Sequence, residues 1–227
     1  MILFVTGIDT GIGKTVATGL LAAWFMRQGR RTITQKLVQT GCDRQSEDIA
    51  QHRRLMGTGM LADDQQQLTC PAIFPFPASP HLAAALAGAS LNVAALVAST
   101  QQLARRYDVV LVEGAGGLMV PLSRGILMID VVAQQKWPVV LVTAPRLGSI
   151  NHSLLSLDAL AARNIQLAAI LYNLYFSAAP EIVADTRQLL QQAARERHWK
   201  APVLDLPAAT TDTTQWHDPQ LQQLLAH

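Results

Sequence analysis

The chain has 227 residues, 50% of them hydrophobic and 15% charged, with a formal net charge of +2. That length suits one large domain at about 150 residues per domain, here residues 1–227, and the apolar content excludes a disordered chain. The even spread of charge gives no electrostatic footprint for nucleic acid, and its scarcity points to surface covered by a second subunit.

Ile2–Thr6 is a short apolar run before a glycine turn and predicts a buried strand. It follows no basic segment and is too short for a signal peptide. No stretch reaches the roughly 18 apolar residues of a membrane span, so the expectation is a cytoplasmic protein. Lys14–Gln28 predicts a helix, apolar on so wide a face (Val16, Leu20, Trp24, with Ala17, Leu21, Phe25) that neighbours must cover it; Gly29 ends it. Thr32–Val38 predicts a second strand. Ser46–Leu55 predicts a helix with Ser46 as N-cap and Glu47 and Asp48 in its first turn.

Cys70–Pro80 holds the prolines Pro71, Pro75, Pro77 and Pro80 and is expected to be a loop. Cys42 and Cys70 form no CxxC pair, which argues against a zinc knuckle or a disulfide framework. Leu91–Arg106 reads as a helix and Val109–Val112 as a buried strand. Helix and strand then alternate through 127–135, 139–143, 150–162, 167–172, 181–198 and 203–206, with a terminal helix at 218–226. Continuous apolar strands joined by helical crossovers predict an α/β fold, with a parallel sheet covered on both faces.

The strongest motif is Gly7-Ile8-Asp9-Thr10-Gly11-Ile12-Gly13-Lys14-Thr15, between the first strand and the first helix. A phosphate group needs several backbone N–H donors on one concave surface. Glycines let the backbone come close, and the helix N-terminus adds the positive end of its dipole. Lys14 supplies a cation for the terminal phosphates and Thr15 a hydroxyl for Mg²⁺. The loop has five residues between Gly7 and Gly13, one more than the usual motif.

Glu113 directly follows the strand 109–112, at the sheet edge where ligands bind in open α/β folds, and Gly114-Ala115-Gly116-Gly117 then lets the chain pass close to a ligand. Glu113 is therefore expected to hold the metal. Asp48 is either a second metal ligand or a first-turn carboxylate favoured by the helix dipole. Lys36, at the end of the second strand, either meets an anionic group or lays its stem on the sheet and reaches water.

Together these blocks resemble the dethiobiotin synthetase family. The resemblance rests on Thr6–Thr15, Lys36–Gly41, Ser79-Pro80-His81, Val112–Gly117 with Pro121-Leu122, and Leu147–His152, and runs to about Pro207. It implies a P-loop NTPase-like fold with one mainly parallel sheet of about seven strands and helices on both faces. It also implies a homodimeric Mg²⁺-ATP ligase of biotin biosynthesis. Such an enzyme joins CO₂ to 7,8-diaminononanoate and closes a cyclic urea through a phosphorylated carbamate, giving dethiobiotin, ADP and phosphate.

Carried over residue by residue, the resemblance makes Lys36 and Lys14 the catalytic cations and Thr15, Asp48 and Glu113 the Mg²⁺ ligands. It assigns ATP to Gly11, Ile12, Gly13, Lys14, Thr15, Val16, Asp48, Glu113, Gly114, Ala115 and Gly116. Asn173, Leu206, Pro207 and Ala208 fall to the adenine. It assigns the amine substrate to Thr10, Lys36, Thr40 and Gly117, and its carboxylate tail to Ser149, Ile150 and Asn151 of a second subunit. His81 and His152 are expected to be structural or substrate-contacting, not general bases.

The chain departs from the family pattern at Gly11, Leu37, Gln39, Leu174 and Asp185. Most of these lie around the substrate, while the phosphate and metal groups are intact. Other readings are a P-loop paralogue with a changed amine substrate and a nucleotide-binding scaffold without turnover. A partitioning-type ATPase would carry a lysine where Ile8, Asp9 and Thr10 stand.

Overall fold

The computed structural model describes residues 1–206, 216 and 218–226. The expected contacts of Pro207 and Ala208 lie outside the described residues. In chain order the elements are β1 (Ile2–Gly7), α1 (Lys14–Arg27), β2 (Thr32–Lys36), β3 (Gln39–Thr40), α2 (Glu47–Met56), α3 (Ala62–Gln65), β4 (Ile73–Phe74), α4 (Pro80–Leu86) and α5 (Val93–Ala104). There follow β5 (Val109–Glu113), β6 (Pro121–Ser123), β7 (Ile126–Leu127), α6 (Met128–Gln135), β8 (Val139–Thr143), α7 (Ser149–Ala161), β9 (Leu167–Asn173), α8 (Pro180–Glu196) and β10 (Val203–Leu206). The expected terminal helix is a 3₁₀ helix over Pro219–Ala226.

The main sheet has six strands in the order β10-β9-β8-β1-β5-β2, close to the expected seven. All its pairings are parallel. Alternation along each strand divides the core. Phe4, Val110, Val112, Val139 and Leu141 point to one face, and Leu3, Val5, Val109, Leu111, Val140 and Val142 to the other. The first face is covered from α5, α6, α7 and α8 by Leu103, Val132, Leu160 and Leu190. The second is covered by Leu20, Leu21, Trp24 and Phe25 of α1 and by Leu221 and Leu224. Strands buried on both sides explain why the runs read as continuously apolar.

β1 lies between β5 and β8, whose chains cross over in opposite directions, so its C-terminal end opens onto the crevice where such sheets bind ligands. The helix α2 reaches this crevice by lying close against α1. A Cβ on Gly19 would stand 2.8 Å from Leu55 Cβ, so a larger residue would push the two helices apart. Ser46 caps α2 as expected, its Oγ accepting from Ile49 N at 3.1 Å.

Four short elements depart from the sequence reading. β4 breaks the proline-rich loop, because Gln39 N and Gly41 N donate to Ala72 O and Phe74 O at 2.9 Å each. α4 starts with Pro80 in its first turn, where a missing N–H costs nothing. β6 and β7 form a small antiparallel hairpin. Two- and three-residue strands carry no periodicity to read.

Arg53, 2% exposed, anchors α2 to the edge of the sheet. Its guanidinium donates to both oxygens of Asp64, at 2.9 and 2.7 Å, and to Thr34 Oγ1 at 2.8 Å. Burial alone would push the Asp64 carboxyl up. The hydrogen bonds from Arg53, Thr69 and the Leu61 amide outweigh it and hold the group below its ordinary range. The pair's contribution is therefore complete above the ordinary aspartate pKa of about 4 and is lost as pH falls through the lowered value. Arg53→Met leaves the Asp64 carboxylate buried without its cation, and urea unfolding at pH 7 should show a loss of about 3–5 kcal/mol. A loss below about 1 kcal/mol would mean that the pair does not hold α2 in place.

Candidate active site

The loop from Ile8 to Gly13 turns β1 into α1. Its start is fixed by Ile8 N donating to Val142 O at 3.1 Å. Its end is fixed by Asn173, at the tip of β9, whose Nδ2 donates to Ile12 O at 2.8 Å and whose Oδ1 accepts from Tyr175 N at 3.1 Å. Gly13 is required twice over. It adopts φ +103°, and a Cβ there would lie 2.3 Å from Asn173 Nδ2. No side chain caps the start of α1 and its first turn carries no acid, so its amide donors and dipole suit an anion.

Asp9 braces the loop from within. Its carboxylate accepts from Thr10 N at 2.7 Å and from Arg146 at 2.5 Å, and its carbonyl accepts from Lys14 Nζ at 2.9 Å. Burial lowers the Lys14 pKa to about 8, and the nearby Lys36 charge adds to this, with Glu113, Asp48 and Asp9 opposing.

Beside the loop, four elements bring charges together. Lys36 Nζ from β2 lies 2.7 Å from Asp48 Oδ2 of α2 and 2.7 Å from Glu113 Oε1 of β5, and donates to Gly114 O at 3.2 Å. Thr15 Oγ1 from α1 lies 2.9 Å from Asp48 Oδ1 and 3.2 Å from Glu113 Oε1. His52 Nε2 lies 2.8 Å from Glu113 Oε2. Register explains the meeting, since Lys36 pairs with Glu113 across the parallel ladder.

Burial alone would drive Lys36 to lose its proton, but Glu113 and Asp48 raise its pKa above the ordinary lysine value. Burial would likewise raise Glu113. Lys36 and His52 overcome it and bring Glu113 to about 2. The hydroxyl and two carboxylates that converge here are hard oxygen donors, the chemistry that Mg²⁺ takes when phosphates and water complete its shell. The described residues hold no cluster of three or more His, Cys, Asp and Glu that would make an all-protein cage.

Thr10, Gly11, Gly13, Lys14, Thr15, Val16, Lys36, Thr40, Asp48, Glu113, Ala115 and Gly116 all line one cleft of about 700 Å³, which Gln39 and residues 77–80 also line. The other expected residues stand outside it. Ile12 is in the core and offers only its backbone. Gly114 presents its carbonyl to Lys36, and Gly117 packs near Gly7 O, 3.3 Å from where a Cβ would stand. Asn173 and Leu206 are neighbours in register at the ends of β9 and β10. Ser149, Ile150 and Asn151 open α7 and do not line the cleft of their own chain. His81, His152 and Asp185 are exposed, and none lines the cleft.

Two features escaped the sequence reading. His52 stands four residues after Asp48 on α2, and that spacing puts both on one helix face, which was the available signal. Arg146, which binds Asp9 and lies 5.6 Å from the Phe176 ring centroid, gives no local signal, because its partners are far away in the chain.

Gly13→Ala should force Asn173 off Ile12 and strain the loop. Isothermal titration should show ATP binding weakened at least about tenfold with the core still folded, a loss of roughly 1.4 kcal/mol. Unchanged affinity would mean that the loop tolerates a side chain there and is not the phosphate cradle.

The AAA domain family model matches residues 2–204. The ATP-dependent dethiobiotin synthetase BioD of Chlorobaculum tepidum is 52% identical over 206 residues, covering 90% of this chain and 86% of that one. The ATP-dependent dethiobiotin synthetase BioD 2 of Pasteurella multocida is 44% identical, covering 84% and 90%. Among solved structures, the MinC:MinD cell division protein complex of Aquifex aeolicus gives a TM-score of 0.54 at 12% identity, over 96% of this chain and 87% of that one, a likeness of fold alone. A P-loop fold with these relatives over most of its length places the chain in the dethiobiotin synthetase family.

Proposed function

We propose that the chain is an ATP-dependent dethiobiotin synthetase. The observation that carries this reading is the Lys36 ammonium clamped between Asp48 and Glu113, lining one cleft of about 700 Å³ with Lys14 and Thr15. One amine of 7,8-diaminononanoate adds to CO₂ and loses a proton, giving a carbamate. A carbamate oxygen attacks the γ-phosphorus of ATP, and ADP leaves. The second amine then attacks the carbamate carbon, phosphate leaves and the urea ring closes.

Phosphoryl transfer asks for position and charge neutralisation more than for covalent help. The loop amides and Lys14 would hold the phosphates. Lys36 would neutralise the carbamate, and Thr40 and Gly117 would border the amine. Thr15, Asp48 and Glu113 would hold Mg²⁺, which supplies further neutralisation of the phosphate charge. Asn173 and Leu206 would meet the adenine. Ser149, Ile150 and Asn151 would serve the site of a second copy in a homodimer, consistent with their absence from their own cleft. No helix among the described residues is long and apolar enough to cross a membrane, which fits a cytoplasmic enzyme.

One observation favours a second reading, a related amine. Gln39, which departs from the family pattern, lines the cleft with its Oε1 accepting from Ser46 Oγ at 2.7 Å. A panel of diamines of different length would reveal such a shift.

Lys36→Met should still bind Mg²⁺-ATP by calorimetry, while product formation falls at least about 100-fold, the scale of losing one charge-stabilising donor. A normal rate would remove Lys36 from the chemistry.

A further inference from the structure

We infer that His52 is a positioning residue for Glu113, holding the carboxylate in the orientation that receives Mg²⁺ with the nucleotide. This rests on the proposed reading of the cleft.

The two oxygens of Glu113 have separate partners. Oε1 serves Lys36 and Thr15, at 2.7 and 3.2 Å. Oε2 serves His52, at 2.8 Å. With Glu113 ionised, Oε2 only accepts, so Nε2 carries the hydrogen and donates it. Without this bond nothing among the described residues restrains Oε2, and the carboxylate is free to turn both oxygens towards Lys36, away from Thr15 and Asp48.

Packing alone explains His52 poorly. The side chain is wholly buried, and its Nδ1 has no hydrogen-bond partner among the described residues. Leucine would remove that unsatisfied atom but would leave the buried Glu113 Oε2 without its donor, at a cost of about 1–3 kcal/mol or more. The rest of the buried face of α2 is Ile49, Arg53 and Met56, so packing alone does not call for an imidazole. The ring makes one hydrogen bond, and that bond goes to the carboxylate expected to meet the metal. The same helix carries Asp48 one turn earlier, so α2 delivers one carboxylate to the site and steadies the other. Its anchor, Arg53, is the next residue after His52.

The test compares wild type, His52→Leu and His52→Gln. ATP binding is measured by calorimetry with and without Mg²⁺, and melting is measured without ligand. The Leu variant should fold and melt below the wild-type temperature, because Glu113 Oε2 loses its donor, and should bind ATP without metal as wild type does. Its Mg²⁺-dependent gain in affinity should fall about 10–100-fold, the usual effect of losing a hydrogen bond behind a metal ligand. The Gln variant, whose Nε2 reaches nearly the same point, should recover most of that gain. A Leu variant with the wild-type response to Mg²⁺ would overturn the inference, as would a folded Gln variant as weak as Leu. If the Leu variant does not fold, the Gln variant decides alone: a retained response supports the hydrogen bond and a lost one overturns it. Wild-type protein whose ATP affinity ignores Mg²⁺ would overturn the metal reading of the cleft, and the inference with it.

Discussion

Glu113 is a carboxylate with no access to water at the end of a strand buried on both faces. An isolated charge in that place would cost several kcal/mol, so the surrounding structure must supply its partners. It does so from separate elements. β2 brings Lys36 opposite in register, α1 brings Thr15, and α2 brings His52, with Asp48 to complete the other side of Lys36. Each of these elements must be in place before the charge is tolerated. The folding of this corner and the assembly of the site are one problem.

The parallel sheet explains why the corner lies where it does. β1, β5 and β2 run side by side in one direction, so Gly7, Glu113 and Lys36 all arrive at the same edge. The dipole of α1 and the free amides at its start face that edge too. Positive charge from Lys14, Lys36 and the helix therefore gathers around two carboxylates. A polyphosphate with its metal would enter a site whose charges are already oriented, and little reorganisation remains for the moment of reaction.

Much of this was legible in the sequence, and the reason is locality. The strand, the glycine turn and the Lys14-Thr15 pair are contiguous, and the apolar strands and helical crossovers are each readable within a short window. Ser46 announced the start of α2, and the structure shows it capping there. What stayed open depended on distant partners. Lys36 could be weighed only once Glu113, 77 residues away in the chain, was seen opposite it. Asp48 read equally well as a helix-dipole residue until Lys36 and Thr15 appeared at its two oxygens. His52 had a signal in its spacing from Asp48, but only the fold shows that its one hydrogen bond goes to Glu113. The short strands β3, β4, β6 and β7 gave no period to detect.

The central claim is that this cleft closes a urea ring at the expense of ATP. The most direct measurement incubates the purified protein with Mg²⁺, ATP, bicarbonate and 7,8-diaminononanoate, follows dethiobiotin by mass spectrometry, and omits each component in turn. The account predicts product only when all four are present, with ADP released in step. ATP bound but no dethiobiotin from the complete mixture would contradict it.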